Sequence, residues 1–161
     1  MSFDGNLYGL SRRFISNKQV GTSVGAGGVA ISTPSGVIAY TSGAPVIVAT
    51  LDINLTTIGR PVYIQLMSDG DSAGNPYIGA SGTAGNEVNV QFYFYRDGIQ
   101  IANCVLQSTA SATNGKFRVP PASFNFLDVV TGGTYNYQVF VSKNTGTSVD
   151  MENVVLVAYE T

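Results

Sequence analysis

The sequence predicts an all-β fold, a two-sheet sandwich of eight to ten strands. Three observations carry this. Apolar and polar residues alternate at period two in runs separated by Gly, Pro and Asn. No stretch has the i, i+3, i+4, i+7 apolar spacing and caps of an amphipathic helix. No repeat of fixed period is visible, which argues against a propeller or solenoid. Long loops between non-hairpin strands favour a jelly roll or another Greek key over a meander.

The elements follow in order. Met1–Gly28 has no sustained alternation, ends in the Gly-rich GAGG, and reads as an N-terminal arm preceding a sandwich domain over 29–161. It carries Arg12, Arg13 and Lys18 among the apolar anchors Phe3, Leu7, Tyr8, Leu10, Phe14 and Ile15. Strands are expected at Val29–Thr33 and Val37–Thr41, around the turn Pro34-Ser35-Gly36. Val46–Ile58 and Pro61–Ser68 follow, joined by Gly59-Arg60. Ser68–Asn86 reads as a long Gly/Ser/Asn loop, a length that is uncommon and often functional.

Glu87–Leu106 is a hairpin whose Asp97-Gly98 suits a type I′ turn. A two-residue turn there sets Tyr95 opposite Gln100, Phe94 opposite Ile101, Val90 opposite Val105 and Cys104 opposite Gln91. Val88, Val90, Phe92 and Phe94 form the core face. Tyr93 and Tyr95 end the other face, where an aromatic finish suggests a cover such as another subunit. Short strands are expected at Lys116–Val119 and Ser123–Asp128. Thr134–Ser142 puts Tyr135, Tyr137, Val139 and Val141 on one face. Val149–Glu160 closes the chain, with Val155, Val157 and Tyr159 on one side and Val154, Leu156 and Ala158 on the other. A strand apolar on both faces is central in a two-layer core or pressed against a neighbour.

Charged residues make up 11% of the 161, against about a quarter in ordinary soluble domains, so much surface is uncharged-polar or hidden in an assembly. A net charge of −2, with Arg12-Arg13 the sole basic doublet, argues against nucleic-acid binding. No apolar run approaches the ~20 residues of a membrane span, so no membrane insertion is expected. The N-terminus lacks the charged-then-apolar order of a signal peptide, which points to synthesis in a cytoplasm.

Chemistry is sparsely provided for. The absence of histidine removes Ser-His-Asp and Cys-His catalysis and His-ligated metals, and a single cysteine makes neither an intrachain disulfide nor a thiolate zinc site. Paired carboxylates stay possible in principle, but most acidic residues fall at turns or strand ends. Asp69-Gly70-Asp71 begins a run with oxygen ligands at alternate positions, yet the downstream Glu of a calcium loop is missing. Gly25–Gly28 is no phosphate loop, since no Lys-Ser/Thr follows. No catalytic, cofactor or metal residue is assigned, and no enzyme activity is expected.

Five stretches together resemble trimeric jelly-roll modules of bacteriophage virion proteins: GRPVYIQL (Gly59–Leu66), FYRDGIQI (Phe94–Ile101), SFNFLD (Ser123–Asp128), GTYNYQVFVSK (Gly133–Lys143) and ENVVLVAYE (Glu152–Glu160). Such modules look like the tumour-necrosis-factor and complement globular-head sandwich, three of which pack about a threefold axis. The resemblance implies a homotrimer in a virion, decorating a capsid or forming a short fibre, with itself and a capsid or other virion protein as partners. Tyr93, Tyr95, Val155, Val157 and Tyr159 are then the subunit-interface candidates, and Arg12, Arg13 and Phe14 the capsid anchors. The alternative is a tail-fibre or receptor-binding tip for host surface glycan or protein, with Tyr63, Asp69, Asp71 and Tyr77 at the contact.

Overall fold

A computed structural model describes residues 19–69, 75–111 and 115–161. In chain order the strand segments are β1 (Val20–Gly21), β2 (Ser23–Val24), β3 (Val29–Ile31), β4 (Val37–Tyr40), β5 (Val46–Ile58), β6 (Val62–Ser68) and β7 (Tyr77–Gly82). There follow β8 (Glu87–Arg96), β9 (Ile99–Thr109), β10 (Gly115–Val119), β11 (Asn125–Asp128), β12 (Gly132–Thr145), β13 (Ser148–Glu152) and β14 (Val154–Glu160). Among the described residues the helical content is one short turn at Pro121–Ser123.

One layer is an unbroken sheet in the order β2-β5-β12-β8-β9. The facing layer is broken into a β14 half, ordered β1-β3-β14-β6-β11, and a β13 half, ordered β4-β13-β7-β10. Chain continuity joins the halves, because β3 leads to β4, β6 to β7, β10 to β11 and β13 to β14. Each pair is one long strand interrupted at a crease. Counted as whole strands, the two layers run first-eighth-third-sixth and second-seventh-fourth-fifth, which is the two-sheet jelly roll.

The crease follows from local sequence. Pro34 cannot donate to a ladder, and the first strand leaves its neighbour there. Two buried serines replace the lost pairing: Leu156 N–H donates to Ser32 Oγ (2.8 Å) and Val154 N–H to Ser35 Oγ (3.1 Å). The eighth strand bends at Asn153, which takes a positive φ of 50°. In the third strand the pairing passes from Ser68 to Tyr77 while the partner strand passes only from Val154 to Glu152.

The core lies between the layers. Val90, Phe92 and Phe94 of β8, Leu51, Ile53 and Leu55 of β5, and Val139 and Val141 of β12 meet Ile64, Leu66 and Leu156 from the broken sheet. Phe92 packs on Phe124 and Phe94 on Phe126, with ring centroids 4.9 and 5.0 Å apart. The expected core face of the hairpin is therefore observed.

Two expectations are corrected. Asp97 (φ 49°) and Gly98 (φ 77°) form the type I′ turn, and Tyr95 faces Gln100. A bulge then shifts the pairing by one residue, so Phe94 faces Ala102, Phe92 faces Cys104, Gln91 faces Val105 and Val90 faces Leu106. The shift exchanges faces, as a one-residue slip must. Leu106 is buried at 8% exposure, while Val105 stands out at 52%. The half-buried Cys104 turns toward the core, where burial pushes its thiol pKa up.

The second correction concerns Ser68–Asn86, which contains the strand β7, Tyr77–Gly82. Its small residues answer to close packing. A Cβ at Gly79 would lie 2.5 Å from Phe117 O, and one at Gly82 would lie 2.3 Å from Val88 Cγ2.

Candidate functional site

The sandwich presents two extended outer faces. On the unbroken sheet the outward residues are mostly amides and hydroxyls, joined sideways. Asn136 Nδ2 donates to Asp52 Oδ1 (2.6 Å) and to Asn54 Oδ1 (3.2 Å), and Gln138 Nε2 donates to Asp52 Oδ2 (2.8 Å). Thr56 and Thr134 hydroxyls lie 2.9 Å apart. Tyr93 OH donates to Gln91 Oε1 (3.0 Å) and lies 3.1 Å from Ser142 Oγ. Tyr95 packs on Phe140, centroids 4.5 Å apart. Both tyrosines are half-buried by neighbours on their own face.

The outer face of the β14 half is different. Its rungs read Val20–Val29–Tyr159–Tyr63–Leu127, then Ile31–Val157–Gln65–Asn125, then Val155–Met67. None of these outward positions is charged. The Tyr63 and Tyr159 rings pack at a tilt with centroids 5.4 Å apart, and Leu127, paired with Tyr63, is 58% exposed. Beyond them Ile31, Pro34, Met67, Val155 and Val157 line a groove of about 240 Å³, with Ser32, Ser68 and Asp69 around it. Val155 and Val157 are buried yet stand apart from the central core, on the far side of β14 from Val154, Leu156 and Ala158.

The interface candidates thus fall on opposite sides of the sandwich, Tyr93 and Tyr95 on one and Val155, Val157 and Tyr159 on the other. The receptor-contact candidates are not gathered either. Tyr63 lies beside Tyr159, Asp69 at the groove, and Asp71 outside the described residues. Tyr77 is buried, with the Arg118 guanidinium 3.9 Å above its ring. Tyr63 pairs with Tyr159 and Tyr77 with Glu152, so they sit seven residues apart along the eighth strand, roughly 23 Å. Arg12, Arg13 and Phe14 also lie outside the described residues. The later part of the stretch read as an arm forms β1 and β2, which pair in parallel with β3 and β5 at the edges of the two layers.

Three carboxylates, Asp128, Asp150 and Glu160, are tied into the fold. Asp128 accepts two hydrogen bonds from Arg96 Nη1 (2.7 and 2.8 Å) and one from Tyr137 OH (3.0 Å). Burial first, then the Asp128 charge and hydrogen bond, push the Tyr137 pKa far up, so it stays a donor. Burial pulls the Arg96 pKa down, but the hydrogen bond and charge of Asp128 outweigh it and raise it overall. Asp150, buried on the β13 half, accepts from Ser81 and from Ser148 Oγ (2.8 Å). Glu160 Oε1 accepts from Thr57 Oγ1, Ile58 N–H (2.7 Å) and Arg60 N–H (3.3 Å). Burial acts to raise the Glu160 pKa, and these hydrogen bonds override it and hold the carboxyl below its usual value. No cluster of three or more His, Cys, Asp or Glu suited to a metal occurs among the described residues. No described helix is long and apolar enough to cross a membrane.

Sequence reasoning missed Met67, Leu127 and the Ile31 groove. Their signal was present, since each alternates with a core residue in a short strand.

No protein-family model matches the sequence. No curated protein matches it. Several solved structures contain regions similar to this chain. The insecticidal delta-endotoxin Cry8Ea1 of Bacillus thuringiensis matches 84% of this chain over 25% of its own, with TM-score 0.45 and 11% identity. The structure of infectious bursal disease virus Gt strain matches 82% over 33%, with TM-score 0.41 and 13% identity. A beta-glucosidase from Paenibacillus barengoltzii matches 88% over 12%, with TM-score 0.35 and 8% identity. The chain thus spans a third or less of each. These partial likenesses stand beside the strand order above, which rests on its own hydrogen bonds.

Proposed function

We propose that this chain is a non-enzymatic structural virion protein, a homotrimer that decorates or projects from a bacteriophage capsid. The observation that supports it best is the uncharged, apolar outer face of the β14 half on a jelly-roll sandwich. A subunit with such a face gains by packing against others, since each large apolar side chain withdrawn from water contributes roughly 1.5–3 kcal/mol. The engagement of Asp52, Asp97, Asp128, Asp150 and Glu160 in structural hydrogen bonds fits a scaffold. Attachment to the shell is assigned to Arg12, Arg13 and Phe14 of the N-terminal arm.

Co-sedimentation of the purified full chain with phage particles tests the reading. Binding is expected for the unaltered protein and lost in Arg12→Ala/Arg13→Ala/Phe14→Ala, with oligomer mass unchanged. Absence of binding by the unaltered protein contradicts the capsid role, and undiminished binding by the triple variant contradicts the role of the arm.

A further inference from the structure

We propose that residues 19–28 form an acid-released strap, and that the carboxylate of Glu160 is the latch that holds it across the edges of both layers. This device is independent of the virion reading.

The strap closes two edges at once. β1 pairs in parallel with β3 in the broken sheet and β2 with β5 in the unbroken one, each through two residues. Val29 N–H donates to Gln19 O (2.8 Å) and Asn54 N–H to Thr22 O (2.7 Å). With the strap lifted, β3 and β5 become bare sheet edges, one in each layer. The strap is lightly held. Its sole buried side chain is Val24, which tucks against Gly28, where a Cβ would lie 2.8 Å from Val24 Cβ. Val20 is 65% exposed. A segment with so few buried apolar contacts opens ahead of the core.

The latch stands beneath the strap's turn. Val24 pairs with Leu55 and Val29 with Tyr159, so the chain over 25–28 crosses between the layers at the level of Thr57 and Glu160. There Glu160 Oε1 accepts from Thr57 Oγ1, from Ile58 N–H (2.7 Å) and from Arg60 N–H (3.3 Å). The Gly27 N–H of the strap adds to them. One carboxylate thus gathers donors from β5, from the turn after it and from the strap. An ionised acceptor binds N–H groups about twice as strongly as a neutral one, and protonation removes that advantage.

Burial acts to raise the Glu160 pKa, and the hydrogen bonds override it. The latch is therefore closed above the unfolded value of about 4.3 and opens as pH falls through the lower folded value. The strap, β3 and the facing end of β12 over 132–134 carry no charge. The ionisable groups around Glu160 are Arg60 on the turn, Tyr63 on β6, its neighbour Tyr159, Asp128 across Val62 with its partner Arg96, and the α-carboxylate of Thr161. Glu160→Gln separates the latch from all of them.

Residue-resolved hydrogen exchange of the full chain tests the device. Val29 and Asn54 are sandwich amides whose acceptors are strap carbonyls, so their protection reports closure. Val141, buried and paired on both sides within the unbroken sheet, reports the core. In Glu160→Gln at about pH 6, protection of Val29 and Asn54 should fall about tenfold while that of Val141 holds. In the unaltered protein the same two amides should lose protection relative to Val141 between about pH 6 and about pH 3, and in the variant they should not. Val24→Ala should lower the protection of both amides at either pH. Equal protection in Glu160→Gln and the unaltered protein at pH 6, a loss that Val141 shares in full, or the same pH response in the variant overturns the latch. Val29 and Asn54 unmoved by Val24→Ala overturns the strap.

Discussion

The two outer faces of this sandwich are built by the same period-two alternation and end in opposite chemistry. On the unbroken sheet, outward Asn, Gln, Thr and Ser bind one another, with Asp52 held by Asn136 and Gln138. On the β14 half the outward positions are Val, Ile, Tyr, Leu and Met apart from the two amides Gln65 and Asn125. Alternation therefore tells which residues face the core and says nothing about whether the other side is wet. A polar outer face contributes to the stability of the single subunit. An apolar one contributes little until something covers it.

That contrast can be broken or sharpened by substitution. The largest loss of subunit stability is expected where the layers are clasped, at Asp128. Asp128→Ala leaves Arg96 without its partner and the buried Tyr137 hydroxyl without an acceptor. Urea unfolding should show about 2–4 kcal/mol of destabilisation, moderated because Arg96 is partly exposed.

Next is the wet face itself. Asn136→Ala removes hydrogen bonds to Asp52, Asn54 and the Ile53 carbonyl. It should cost about 1–2 kcal/mol in urea and leave the sedimenting mass unchanged. A change of mass with unaltered stability would reverse the assignment of the two faces.

Glu160 gives a smaller, pH-dependent effect. Its folded-state pKa is lowered, so its contribution is fully present above the unfolded value of about 4.3 and is lost as pH falls through the lower folded value. The urea midpoint of the unaltered protein should exceed that of Glu160→Gln at pH 6, and the gap should narrow below about pH 4. A gap constant across that range would show that the charge of Glu160 contributes nothing.

The smallest effect on subunit stability is expected on the apolar face. Leu127→Ser, at an exposed position, should shift stability by no more than about 0.5 kcal/mol while it weakens self-association.

Much of the fold was legible in the sequence. The Asp97-Gly98 turn, the Val90–Phe94 core face and the two-sided apolar β14 all follow from turn chemistry and alternation. The bulge near Ile101 was not, because an extra residue in a strand leaves no mark on composition. It was enough to put Val105 outside and Leu106 inside. Strand β7 was hidden for another reason. Gly79 and Gly82 read as loop residues, whereas the packing of Phe117 and Val88 against the backbone is what requires glycine there. The site was least legible. Tyr93 and Val155 both qualified as interface residues, and only the sheet order reveals that they point to opposite sides. Leu127 escaped notice because its significance depends on Tyr63, more than sixty positions away, standing next to it.

The most direct test of the central claim is the solution mass of the unmodified full chain at micromolar concentration. The proposed homotrimer, with the β14 face covered by neighbouring copies, predicts a discrete species of three times 16.9 kDa. A stable particle of 16.9 kDa, unchanged on concentration, would contradict it.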